Sequence, residues 1–189
     1  MENKATTFES GISETFESLL AKVNTCMPGQ IISFDSELQT CSVQPCLMRK
    51  YFNKDEAEQL PVIEDVPVLF PGSENFWLTF DVKADSYCWL MFCQRSMDVW
   101  EHAGGIVNPA SRRKFSISDA VAFVGINPNP SPIESFDEDA ICLRNADNTT
   151  YVKVEDDAIT LKNSKGDVSL VSSATGTVSL CGGNFTVDQ

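Results

Sequence analysis

The chain has 189 residues, of which 42% are hydrophobic and 22% charged, a balance that fits a folded domain or two small ones rather than a disordered or fibrous chain. Fourteen Lys and Arg stand against 27 Asp and Glu, a formal charge of −13, which argues against a nucleic-acid binder because phosphate neutralisation needs clustered positive charge. With His102 as the sole histidine, a His-built metal cage or a His general base has one residue to draw on.

No apolar run approaches the length of a membrane-spanning helix, and residues 1–7 lack the basic and apolar regions of a secretory signal. The seven cysteines, Cys26, Cys41, Cys46, Cys88, Cys93, Cys142 and Cys181, form no CxxC pair. Without secretion they read as buried free thiols rather than disulfides or a zinc knuckle.

From the N-terminus, Phe8, Ile12, Phe16, Leu19, Leu20 and Val23 recur at intervals of three and four, which predicts a helix with one apolar stripe. Met27-Pro28-Gly29 is expected to stop it. Packing on its own domain and docking to a partner are both open readings of this stripe.

Residues 28–128 read as β. Gly29–Phe34 and Thr40–Pro45 alternate around the polar turn Asp35-Ser36-Glu37. After the charged connection 53–59 come apolar stretches at 66–72, 76–82 and 87–93. The last, Tyr87–Cys93, is almost continuously apolar and predicts a strand buried on both faces. Five or six short strands suggest a small barrel or sandwich. Asn127-Pro128-Asn129-Pro130-Ser131-Pro132 predicts a stiff spacer and a domain boundary.

Beyond residue 139 short period-two pieces recur, with Asn, Asp, Gly or Ser between them: 140–143, 151–154, 158–161, 168–171, 177–180 and 185–187. Tyr151 and Phe185 are their only aromatics, so one copy would have a thin core. A β-helical prism wound from several chains would close both the core and the edges.

The polar candidates read as structure. His102, beside Gly104-Gly105, suggests a surface loop; Asp119 with Arg112 or Arg113 suggests an ion pair at a strand end; Arg95, Asp98 and Trp100 suggest a packed loop. Asp55, Glu56 and Glu58 read as a solvated run, and Asp156-Asp157 and Asn163-Gly166-Asp167 as turns rather than calcium ligands. No phosphate-binding glycine motif occurs.

Met27–Asp35 followed by Gln39–Pro45 resembles the opening hairpin of the baseplate central spike of contractile-tailed phages. Val66–Gly72, Leu90–Ser96 with Trp100, and Arg112–Ala120 follow in that family's order, so the likeness spans most of residues 27–126.

The resemblance implies an all-β chain: an N-terminal helix docking to the tail hub (1–26), an OB-fold barrel (27–127), a proline-rich linker (128–138) and an intertwined trimeric β-helix shaft (139–189). The hub-docking residues would be Phe8, Ile12, Phe16, Leu19, Leu20 and Val23. The shaft core would be Ile141, Leu143, Val152, Val154, Ile159, Leu161, Val168, Leu170, Val178, Leu180, Phe185 and Val187.

The implied role is a homotrimeric virion spike, made in the host cytoplasm, that contacts the outer membrane mechanically when the sheath contracts. It implies no enzyme activity, cofactor or nucleic-acid partner. Spikes of this kind often close on iron held by His-x-His pairs, but no histidine follows His102, so the expectation is a tip without metal, capped by a separate protein. An OB-fold module for single-stranded nucleic acid or a partner protein, and a receptor-binding fibre, are the alternatives. Net charges of −7 over residues 1–130 and −6 over 131–189 weigh against the nucleic-acid reading.

Overall fold

A computed structural model describes residues 8–50 and 56–164. The chain divides into two compact units, Met1–Asn127 and Pro128–Gln189. Helix α1 (Phe8–Leu20) opens the first unit and buries none of its residues. It ends earlier than the stripe suggested, continuing as hydrogen-bonded turns from Ala21 N to Glu17 O, Lys22 N to Leu19 O and Val23 N to Leu20 O.

Met27-Pro28-Gly29 does not stop the helix but lies inside strand β1 (Cys26–Asp35). The strand tolerates Pro28 because its carbonyl accepts Cys46 N on the side of β2 (Thr40–Pro45), whose pairing with β1 begins only at Gly29. The missing N–H thus faces a place where the ladder has already ended. At the other end of β1, Asp35 Oδ1 accepts the backbone N–H groups of Glu37 and Leu38 at 2.8 and 3.1 Å. This side-chain turn joins β1 to β2, as the polar run suggested.

The hairpin of β3 (Arg49–Lys50) and β4 (Ala57–Glu58) precedes β5 (Ile63–Pro67), and that of β6 (Gly72–Ser73) and β7 (Phe76–Trp77) precedes β8 (Tyr87–Phe92). A long connection carrying the short helix α2 (Asp98–Ala103) leads to β9 (Ala120–Val124). The main sheet runs β5-β2-β1-β8-β9 with every pair antiparallel. It curls into a half-barrel. Beyond β5, Val68 bridges Ala122 of β9 in parallel, and Leu69 N donates to Ala122 O at 2.9 Å.

The inward positions build the core: Ile31, Cys41, Val43, Ile63, Val66, Val68, Val82, Cys88, Leu90, Phe92, Ala120, Ala122 and Val124. Gly29 is required where it stands, since a Cβ there would lie 2.5 Å from Val43 Cγ1 and 3.0 Å from Leu90 Cδ1.

Strand β8 corrects one expectation. Its buried positions alternate, with Cys88, Leu90 and Phe92 inside and Tyr87, Trp89 and Met91 on the outer face. Within one chain it is buried on one face only.

In the second unit, β10 (Ile141–Arg144), β11 (Tyr151–Val154) and β12 (Ile159–Lys162) form an antiparallel meander. The turn between β10 and β11 is held by Asn145, whose Oδ1 accepts Thr149 N and Thr150 N at 3.0 and 2.9 Å. Val168, Leu170, Val178, Leu180, Phe185 and Val187 lie outside the described residues.

Candidate interaction surfaces

A polar cluster of the first unit fastens the long β8–β9 connection. The Asp119 side chain, wholly buried at the start of β9, accepts Arg113 Nε and Nη2, each at 2.7 Å. It also accepts Met97 N at 2.9 Å, just ahead of α2. The same Arg113 Nη2 reaches Asp98 Oδ1 at 2.5 Å.

Burial pushes the Asp119 carboxyl up, but the Arg113 hydrogen bonds, the Met97 N–H and the guanidinium charge outweigh it and hold the group below the usual carboxylate range. Hydrogen bonds to Asp119 and Asp98 push Arg113 further up. Burial, then the charges of Asp98 and Asp119, push Glu101 up. A buried ionised carboxylate gripped by a two-pronged guanidinium is a fastening for loops. The expected Asp119–Arg113 pair is therefore present, while the sequence did not indicate that Asp98 and Met97 join it. His102 is exposed at the end of α2 rather than in a loop.

The thiols divide. Burial pushes Cys41 up to about 11 and Cys88 up to about 12, so both stay protonated and pack as small apolar groups. Cys26 and Cys46 are exposed, against the expectation of burial, and the six described cysteines are free. Cys181 lies outside the described residues. Among the described residues no group of three or more His, Cys, Asp or Glu is placed to hold a metal ion, and no helix is long and apolar enough to cross a membrane.

The apolar residues singled out in the sequence that are among the described residues lie on open surfaces of a single chain. Phe8, Ile12, Phe16, Leu19, Leu20 and Val23 are all exposed, Phe8 by 87%. The segment after the helix is tied to the half-barrel at Asn24, which donates N and Nδ2 to Phe115 O and whose Oδ1 accepts Arg49 Nη2. A helix this short is marginal in water without a packed face.

In the meander, strand register aligns two apolar rows on one face, Ile141–Val154–Ile159 and Leu143–Val152–Leu161. All six residues are exposed, Ile141 and Ile159 by more than 70%. The opposite face carries Cys142, Lys153 and Thr160 in one row and Arg144, Tyr151 and Lys162 in the next. Lys153 there pairs with Asp137 and Glu155 at 2.8 Å, and Arg144 donates to the Ser135 and Glu134 carbonyls. Among the described residues, the polar face is thus satisfied within the chain and the apolar face is left open.

Among the described residues, the mostly β chain leaves an amphipathic helix and a patterned sheet face uncovered. The model of the phage protein Gp138 N-terminal domain matches residues 27–125, just over half of the chain, and the protein belongs to that family. It is a phage structural protein of the baseplate type. No curated protein matches the chain.

Proposed function

We propose that this protein is the central spike of a contractile-tail baseplate, a homotrimer that links the tail hub to a tip and pierces the host outer membrane when the sheath contracts. The apolar face of the β10–β12 meander carries the reading. Its six residues in two registered rows, exposed in one chain, would each release apolar area from water if three copies packed together. The period-two pattern recurs in the sequence of residues 165–189; on this reading Val168, Leu170, Val178, Leu180, Phe185 and Val187 would continue the core of an intertwined β-helix. Winding chains together leaves no open strand edge along the shaft.

The sheet order β5-β2-β1-β8-β9, brought round by the Val68–Ala122 bridge, supports an OB-type barrel as the platform of the spike. Helix α1 would dock its stripe to the hub, and a separate protein would cap the tip. In this mechanism force does the work, so the molecule needs stiffness rather than a catalytic centre or cofactor. An acidic chain of net −13 gains nothing by adhesion to an anionic bacterial surface.

The test is the mass of the full chain in solution, with and without Leu143→Asp. A trimer that resists SDS, and that dissociates on this substitution, is expected. A stable monomer of 20.8 kDa would overturn the proposal.

A further inference from the structure

The outer surface of the half-barrel is divided in a way that its own fold does not require. On β2 and β5 the outward positions are polar: Thr40, Ser42 and Gln44, then Glu64 and Asp65, with Ser42 donating to Glu64. On β8 and β9, and on β1 at Cys26 and Pro28 though not at Gln30, the same alternation places apolar groups outside. Register aligns them in two rows, Cys26–Met91–Val121 and Pro28–Trp89–Phe123. Leu69, whose N–H donates to Ala122 O, extends the band past β9. Met91, Phe123 and Leu69 are exposed by 37, 43 and 39%. None of these seven residues carries a formal charge.

We infer that this band is where the barrel units of neighbouring copies of the chain meet. The inference rests on the trimeric reading above and assigns it a second contact, independent of the meander. The charge balance selects the occupant. Copies of a chain at net −13 repel over most of their surface, and a charge brought into a dry contact without a partner is costly. The uncharged band is where an acidic barrel can touch its own copy without that cost. Helix α1 has Glu9, Glu14 and Glu17 on its sequence and is less suited to self-contact. The almost continuous apolar composition of Tyr87–Cys93 then has a direct cause. Its inward residues face the core of their own chain and its outward residues face the next.

Cys26, exposed in the single chain and a member of the band, serves as the reporter, with the exposed Cys46 as internal control. The full-length protein is alkylated with a maleimide, each thiol is quantified by peptide mass spectrometry, and the mass of the same sample is measured. The expected result is a trimer in which Cys26 reacts roughly tenfold more slowly than Cys46. Phe123→Glu should release Cys26 while the mass stays trimeric through the meander contact. Thr40→Glu, on the polar side, should leave the protection unchanged.

A trimer in which Cys26 reacts as fast as Cys46 overturns the band contact and leaves the trimeric spike standing. A monomer with Cys26 protected means that the chain covers its own band, which also overturns the inference. A monomer with Cys26 reactive sinks both this inference and the trimeric reading.

Discussion

Replacing Arg113 by Met removes the guanidinium while keeping much of the apolar stem. The variant loses both prongs on Asp119, at 2.7 Å each, and leaves that fully buried carboxylate with the Met97 N–H still donating to it. Breaking a buried pair from one side costs about 3–5 kcal/mol. The Arg113 side chain is 32% exposed, so water can enter the vacated space, and the low end of about 3 kcal/mol is expected. For a unit of this size that is a fall in Tm of roughly 10 °C.

The loss should depend on pH with a defined sign. Asp119 is held below its ordinary value in the folded parent, so its contribution is complete above the unfolded carboxylate value near 3.9 and fades as pH falls through the lower folded value. In the variant the buried carboxyl instead gains by protonation. Parent and variant should therefore differ most at pH 7 and converge below about pH 4. Denaturant unfolding at matched protein concentration, at pH 7 and pH 4, measures both quantities. A difference under about 1 kcal/mol at pH 7, or one that does not shrink on acidification, would refute the account of this cluster.

Three further outcomes are expected. Asp98→Ala, which removes a partner that is half exposed, should cost under about 1 kcal/mol in the same unfolding assay. Gly29→Ala should cost about 1–3 kcal/mol, because the new methyl meets Val43 and Leu90, both without exposure, and neither can move aside. Cys41 and Cys88, pushed up to about 11 and about 12, should stay unreactive toward a disulfide reagent at pH 8 until denaturant is added, whereas Cys26→Ser should leave their protection intact.

Local chemistry made much of the fold legible. The β1–β2 hairpin could be read because Asp35 both breaks the alternation and supplies the turn's hydrogen bonds. The Arg113–Asp119 pair could be read from charge at a strand end, but Asp98 and Met97 come to it from across a long connection, and no spacing encodes that. Helix α1 was legible by period, while its end was misplaced because Pro and Gly break helices and also fit a strand whose neighbour has stopped. The short strands β3, β4, β6 and β7 carry too few residues to show a period. Strand β8 was read as buried on both faces because an apolar side chain at an outward position looks the same in sequence whether it is covered or left open. The six described shaft positions share one face of an antiparallel meander, and period-two apolarity could not choose between that and a wound arrangement, because both produce the same alternation.

The two-sided apolarity of β8 bears on how its alignment is chosen during folding. In most half-buried strands a slip of one residue moves polar groups inward and is rejected by hydration. Here a slip would exchange Cys88, Leu90 and Phe92 for Tyr87, Trp89 and Met91, one apolar set for another, and hydration would discriminate weakly. Volume must decide instead. The space over Gly29 is filled by Val43 and Leu90 so closely that a single methyl would clash, and in the inward row of β8 Cys88 and Leu90 are packed without exposure. An indole brought into that row would find no room, so steric fit keeps this part of the half-barrel in step.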